Sequence, residues 1–525
     1  MSAVVTDQFR IANATSFVES VLDDENSYYV FLGLPNPTVA GFGRTSTEAD
    51  WPLSPIDNLS YRTHYRDTMM FGKKVTSANI RRVVKKHAWT INTRYDMYRH
   101  DYDANNLTPN SKTTNLYRSN YYVINSNFQV YICLDNGSSG TVDSSNAKGQ
   151  RSLIEPTFTD VEPITQSDGF TWKYLYTVAP SDIIKFDSTE YIVLPNDWST
   201  TTDSQIKSIR ESGNSDINNN QIKKVYIKSG GRSGGYTSGT TTLNILGDGS
   251  GAKVSVTVAN TGIIESTKVV SGGSGYTYGI VDLGPLQVPG NSTALGELIP
   301  IIPPSKGHGY DIYKELGGDK VLIYARFDDS SKDFPIDTIF SQVGIIKNPE
   351  KSTSTDTYKA NDFSALDSFK VSESLSETTK NYAGVEITQS VGTDGDKAKG
   401  YIASYDTDTK IVKYYQDKSL FFFDGYSHRD GIDVSTRAKV VKFGGTEPIT
   451  INAPGNIHTR SIDTSLSGVS TSVNNKVINL GVEYTNGIAG PEINKKTGDI
   501  IYITNRSAVQ RDLRQKEDIK IILEF

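Results

Sequence analysis

Bulky and polar side chains alternate most regularly between Asp168 and Pro195. Trp172, Tyr174, Tyr176 and Val178 take alternate positions, with Thr171, Lys173, Leu175 and Thr177 between them, so an extended strand there has one bulky face and one mixed face. After a turn-forming stretch, Tyr191-Ile192-Val193-Leu194 is a continuous apolar run closed by Pro195, which predicts a second, more deeply buried strand. Upstream, Ile11, Ala14, Phe17, Val18, Val21 and Leu22 recur at helical spacing behind Thr6 and Asp7, predicting one amphipathic helix over residues 7–23. Tyr28 to Leu34 predicts a strand ended by Pro35-Asn36-Pro37, and residues 41–60 a long loop around Trp51-Pro52. Tyr121 to Ile124 and Phe128 to Leu134, joined by Asn125-Ser126-Asn127, read as a hairpin.

Further along, Ser229-Gly230-Gly231-Arg232-Ser233-Gly234-Gly235-Tyr236-Thr237 returns as Ser271-Gly272-Gly273-Ser274-Gly275-Tyr276-Thr277, with strand-like runs between the copies. One short period cannot build a solenoid, so this is a compact β module inserted into a larger domain. Strands are expected at Val321 to Phe327 and Ile339 to Ile346, and the polar stretch from Asn348 to Thr379 marks a boundary. Val385 to Ile387, Tyr401 to Tyr405, Ile411 to Tyr415 and Leu420 to Phe423 predict four close strands of a small barrel or sandwich. Residues 425–497 are loop-rich, with weak strands at Ala438 to Phe443, Val477 to Leu480 and Val482 to Tyr484. The apolar run ending at Phe525 must pair with strands much earlier in the chain if its side chains are buried.

The resulting expectation is a mainly β, multi-domain scaffold of sandwich or barrel type, with a few short helices and inserted β modules. Its domains are a core over 1–225, the glycine-rich insertion over 226–285, a continuation of the core over 286–350, a small barrel or sandwich over 351–480, and returning C-terminal strands over 481–525. Core positions are expected at Trp172, Tyr174, Tyr191, Val193, Ile521 and Phe525.

Composition agrees with a β scaffold: thirty tyrosines, nineteen phenylalanines and 44 glycines suit strands, turns and amphipathic contact surfaces. A net charge of −6 gives no field that recruits nucleic acid or an anionic membrane. The single cysteine, Cys133, excludes an internal disulfide and a cysteine-based zinc cluster, which fits maturation in a reducing cytoplasm. The opening MSAVVTDQFR lacks a basic segment followed by an apolar one, and no run of eighteen apolar residues occurs, so neither Sec export nor a membrane span is expected.

Candidate chemistry is sparse. Lys73, Lys74, Arg81, Arg82, Lys85 and Lys86 form a basic run near Trp89, Tyr95 and Tyr98, which in an acidic chain suits a strand edge or polar subunit contact better than nucleic acid. Cys133, inside a strand, is a small buried hydrophobe rather than a thiol nucleophile. Gly231-Arg232-Ser233-Gly234-Gly235 satisfies G-x-S-x-G, but the residues after it will not form the helix a nucleophile elbow requires. His308, between two glycines, suits a tight turn and a local hydrogen bond, and Asp406/Asp408 lack the glycine and distal glutamate of a calcium loop. No catalytic, cofactor-binding or metal-binding residue, no cofactor and no small-molecule substrate is therefore expected.

Several segments in order resemble the gene product eight family, the baseplate wedge subunits of T-even-like contractile-tail phages. They are Thr68-Met69-Met70 with Lys74-Val75; Trp89 followed by Tyr95-Asp96; Val130 to Asn136; Asp168 to Leu175; Glu190 to Pro195; and the ending from Gly498 through Asn505-Arg506 to the Asp518 to Phe525 strand. The resemblance covers the first 200 residues, part of 300–350 and the last 30, and it departs over 226–285 and 350–490. The glycine-rich insert is similar to modules in structural proteins of marine cyanophages. The resemblance implies a β-rich virion subunit of the tail baseplate, assembled in the host cytoplasm, that forms a homodimer, contacts the other wedge proteins and rearranges on contraction, with no catalytic residues. Two alternatives belong to other classes: a carbohydrate-binding or host-adhesion module of a tail fibre, and a polysaccharide-degrading virion enzyme. The second needs two carboxylates across a groove, and no spacing here selects them.

Overall fold

The computed structural model describes residues 5–33, 59–102, 115–137, 149–214, 219–228, 234–291, 296–327, 339–375, 382–391, 397–416, 442–453, 455–510 and 515–525. Among them are 28 strands and five α-helices, and the chain is mainly β with several separate sheets. It divides into two compact units, each drawn from distant parts of the sequence: residues 1–18, 80–323 and 521–525 in the first, residues 19–79 and 324–520 in the second. The chain crosses between them inside the helix Asp7–Leu22 and inside the strands Lys320–Phe327 and Glu517–Glu524, so these divisions do not follow the compositional boundaries.

The first unit contains the aromatic centre. Strand Phe170–Thr177 pairs antiparallel with Gln129–Asn136 on one side and Ile164–Thr165 on the other, and Gln129–Asn136 carries the hairpin partner Tyr122–Ile124. Both faces of Phe170–Thr177 are buried up to Tyr176, so the mixed face is as sealed as the bulky one. Tyr191–Leu194 lies in a different sheet, at its edge, beside Ile80–Lys85, followed by Lys320–Phe327 and the C-terminal strand Glu517–Glu524. The last strand thus pairs with residues some 200 positions earlier in sequence, and Phe525 packs on Phe17 of the first helix at 5.4 Å. In that helix the expected stripe holds: Ile11, Ala14 and Val18 are buried.

The glycine-rich region of the same unit has its own core. Gly239–Gly247, Ser250–Val258 and Ile264–Ser274 form an antiparallel meander, with Gly279–Val281 on the far edge. One face is built from Leu243, Ile245, Val254, Val256 and Ile264, onto which the two repeat tyrosines, Tyr236 and Tyr276, are packed. The repeat therefore places two equivalent tyrosine plugs, each preceded by a glycine with positive φ.

The second unit holds a five-stranded sheet in the order Asp362–Ser364, Met69–Lys74, Tyr28–Gly33, Ile339–Lys347, Asp499–Gln510. Tyr28–Gly33 is buried throughout because it has a strand on each side and apolar residues over both faces. Three of the four close strands expected beyond Tyr382 are found as Glu386–Ser390, Lys397–Asp406 and Ile411–Tyr415, and they lie in one seven-stranded sheet with the earlier Asp367–Lys370 and three later segments. Leu420 to Phe423, most of Ala438 to Phe443 and most of the 41–60 loop lie outside the described residues. The polar stretch 348–379 contributes strands Asp362–Ser364 and Asp367–Lys370, because Phe363, Leu366, Phe369 and Val371 are buried within it. The two weak strands at 477–484 are one strand, Lys476–Tyr484, hairpinned with Gly468–Val473. Helix Leu59–Asp67 has no apolar stripe that would have announced it.

Candidate functional site

The best-equipped cluster of polar side chains in the first unit is built around residues 306–318. Gly307 and Gly309 have φ of 94° and 86°, and a Cβ on Gly307 would sit 2.4 Å from the carbonyl oxygen of Gly213. Only glycine allows that approach, and it turns His308 inward. Asp311 then caps the short helix Ile312–Leu316, accepting from the Tyr313 and Lys314 amides at 3.1 and 3.2 Å, and Gly317 ends it in the left-handed region. Glu315 is thereby brought back onto the histidine. Its Oε1 lies 2.5 Å from His308 Nδ1 and its Oε2 accepts from the Gly309 amide at 2.6 Å. The side chains are 0% and 1% exposed. Tyr98 meets the imidazole edge-on at 4.8 Å, Tyr121 donates to the Glu315 carbonyl, and Trp198 Nε1 donates to the Gly309 carbonyl at 2.9 Å.

A second group of charges lies under the same unit's surface. Lys173, fully buried, donates to the Val161 carbonyl at 2.9 Å and approaches Ser212 Oγ at 3.3 Å. Burial first, and then the charge of Lys223, hold its amine down at about 8, against the pull of Glu162 and Glu315. Lys223 clasps both oxygens of Glu162 at 2.7 and 2.8 Å and donates to the Ser212 carbonyl at 3.0 Å. Its own pKa is also lowered, chiefly by burial, with Glu162 opposing.

A carboxylate-oriented imidazole is half of an acid–base device, but such a device must turn its other ring nitrogen toward a reactant. Here His308 Nε2 is buried and has no hydrogen-bond partner among the described residues. The pair ties the tight turn at 307–309 to the helix Ile312–Leu316, while Lys173 and Lys223 tie the central strand to Val161, Glu162 and Ser212.

Several of the other candidates also have partners within the chain. Arg81 makes a two-pronged contact with Asp182 at 2.9 and 2.8 Å, Arg82 stacks over Tyr313 at 3.3 Å and donates to Thr15, and Lys86 reaches Asp187 at 3.4 Å. Cys133 is buried and its thiol pKa is pushed up by burial. Asp406 accepts from the Asp408 amide and the Thr409 hydroxyl, both at 2.9 Å, as a turn residue does. Among the described residues no group of three or more His, Cys, Asp or Glu side chains is placed to hold a metal ion. Ser233 lies outside the described residues, and the chain after it goes into strand Gly239–Gly247.

Of the expected core residues, Trp172, Tyr174, Val193 and Ile521 are buried, and Trp172 stacks on Phe170 at 5.3 Å. Tyr191 and Phe525 keep partial exposure: Tyr191 begins an edge strand and lines a cleft of about 640 Å³ with Tyr117, Tyr122 and Lys85, and Phe525 lies just beyond the strand Glu517–Glu524. Sequence reasoning placed Lys173 on the mixed face without marking it as buried, and it did not pair His308 with Glu315. The available signal was a histidine between two glycines, seven residues before a glutamate inside an Asp-capped helix. No protein-family model matches this chain, and no curated protein matches it.

Proposed function

We propose that this chain is a structural subunit of a contractile-tail baseplate wedge in a phage virion. It acts through protein–protein interfaces, with itself as a homodimer and with other wedge proteins, in baseplate assembly and in the rearrangement on contraction. The family resemblance suggests the role, and one structural observation supports it: His308 with Glu315, the described pair that most resembles an acid–base device, is sealed and holds the 307–309 turn against its helix. The mechanism is then a change of subunit packing, in which interfaces exchange partners and no covalent bond is made or broken. Among the described residues no helix is long and apolar enough to cross a membrane.

Co-expression with the other wedge proteins, followed by size measurement of what co-purifies, tests the proposal. A dimer that enters a wedge intermediate is expected; a strictly monomeric chain that enters none overturns it. One observation favours a second reading, a carbohydrate-binding module. Tyr278 is 58% exposed, on a turn pinned by Asp248, beside the exposed cross-strand pair Leu246 and Ile280. Glycan-array binding by the purified chain that is lost in Tyr278→Ala would favour it.

A further inference from the structure

Edges of the described sheets are guarded, with one exception. Among the described sheets, edge strands are either four residues or shorter, such as Tyr191–Leu194 and Asp362–Ser364, or they carry charge. The C-terminal strand bears Glu517, Asp518, Lys520 and Glu524, and Ile264–Ser274 bears Glu265 and Lys268. Short length and charge are the usual means by which proteins stop an edge from pairing with another chain. The exception is Gly468–Val473, six residues with no charge and no proline, which forms a two-stranded sheet with Lys476–Tyr484 and has no described strand on its outer side.

The hairpin's own geometry fixes which backbone groups point outward. Its turn residues Asn474 and Asn475 have φ of 50° and 62°, the two-residue type I′ turn. Val473 and Lys476 are then a hydrogen-bonded pair, Ser472 and Val477 are not, and Thr471 and Ile478 are again. Ser470 and Ser472 therefore direct their N–H and C=O groups to the open edge. A second strand is what satisfies such a row.

The sequence of that edge, Val469-Ser470-Thr471-Ser472-Val473, reads the same in both directions. We infer that this edge pairs antiparallel with the same edge of a second copy of the chain, with Thr471 on the two-fold axis. In that register each Ser470 exchanges backbone hydrogen bonds with Ser472 of the second copy, Thr471 faces Thr471, and Val469 faces Val473. These are matched β-branched and hydroxyl cross-strand pairs with no charge opposed to its like. A two-fold contact of this kind must be self-complementary, and a palindromic edge strand is. The union makes one four-stranded sheet from two hairpins. It brings together Val469, 52% exposed, with the partly exposed Val473. Five paired residues are few for a standing interface, so the isolated contact is concentration-dependent. This inference deepens the scaffold reading by assigning the surface at which two copies meet.

Sedimentation velocity of the full chain over a micromolar concentration series tests it. The wild type is expected to dimerise. Ser470→Lys with Ser472→Lys opposes like charges across the axis and should weaken dimerisation at least tenfold. Ser470→Lys with Ser472→Glu opposes unlike charges and should restore it. Both serines are exposed, and an unchanged melting temperature checks that the variants fold. Val469→Cys with Val473→Cys, exposed and partly exposed positions that face each other across the axis, should give a covalent dimer on mild oxidation, whereas Val469→Cys alone, which then faces a valine, should not; Cys133 is buried and does not compete. A chain that is monomeric throughout overturns the inference, as does a dimer indifferent to the charge pairs that forms no cross-link between positions 469 and 473. Wedge co-assembly is scored separately. Entry of Ser470→Lys/Ser472→Lys into the wedge as an unaltered dimer sinks this interface and leaves the scaffold role, while a dimer cross-linked between 469 and 473 that joins no wedge protein does the reverse.

Discussion

His308 Nδ1 and Glu315 Oε1 lie 2.5 Å apart with both side chains sealed from water. A buried pair of this kind contributes little when intact, yet losing one member leaves the other buried and unsatisfied. Glu315→Ala is expected to cost about 3 kcal/mol, since breaking a buried pair costs roughly 3–5 and the Gly309 amide loses its acceptor too. His308→Ala should cost about 2 kcal/mol. In urea unfolding the double variant should cost clearly less than the sum of the two singles, because one contact is lost, not two. Full additivity would show that the pair is not coupled.

Lys173 makes a pH prediction whose sign is fixed by its lowered amine pKa. The folded value is about 8 and the ordinary value 10.5, with burial the leading cause. Below about pH 8 both folded and unfolded chains carry the charge, and between the two values only the unfolded chain holds the extra proton. Stability contributed by this group therefore rises with pH from about 8 to 10.5. Buried tyrosines such as Tyr121 and Tyr176, whose pKa values burial pushes well above the usual 10, reverse the trend above pH 10, so the useful window is pH 8 to 10. Wild type minus Lys173→Met is expected to gain about 2–3 kcal/mol across it, at about 1.4 kcal/mol per unit. A flat difference would mean that Lys173 is not held below its ordinary value.

These two sites show what the pattern of residues could and could not reveal. The first helix was legible because Ile11, Ala14, Val18 and Val21 recur at a spacing only a helix turns to one side. The hairpin of Tyr122–Ile124 and Gln129–Asn136 was legible because apolar runs flank a polar turn. Alternation assigned Lys173 to the face opposite Trp172, but a period of two says nothing about whether a second layer covers that face, and here it does. His308 was recognisable as a turn residue. That Glu315 closes on it depends on Gly213 approaching Gly307 from nearly a hundred residues away, a contact that no local spacing encodes.

That approach gives a third prediction. Gly307→Ala adds a Cβ 2.4 Å from the Gly213 carbonyl oxygen at a φ of 94°. The obstacle is backbone and cannot swing aside, so the cost should exceed the roughly 1–3 kcal/mol of backbone strain alone. Thermal melting should fall by more than for Gly309→Ala, whose φ is similar at 86° but whose nearest contact is 3.4 Å. Equal losses would show that strain, not the close approach, sets the requirement.

The glycine before each repeat tyrosine separates the same two effects within the inserted module. Gly275 has φ of 78° and open space around a built Cβ, with the Gly249 Cα nearest at 3.8 Å. Gly235 has φ of 102° and would press a Cβ onto Asn291 Nδ2 at 2.8 Å. Gly275→Ala therefore carries conformational strain alone, about 1–2 kcal/mol for a left-handed alanine. Gly235→Ala carries that strain and a clash, though with a side chain that is able to yield. The anchored rings differ in the opposite sense. The Tyr276 hydroxyl donates to Ile245 O at 3.0 Å and accepts from the Ala252 amide at 3.3 Å, whereas Tyr236 accepts from the Gly296 amide at 2.7 Å. Removing the Tyr276 hydroxyl strands two strand-bound groups inside the meander; removing that of Tyr236 strands one amide at its margin. Denaturation should thus rank Tyr276→Phe as the costlier phenylalanine variant, by about 1 kcal/mol, and Gly235→Ala as the costlier alanine variant. If both rankings came out reversed, the two copies of the repeat would not be anchoring the module in the way their hydrogen bonds indicate.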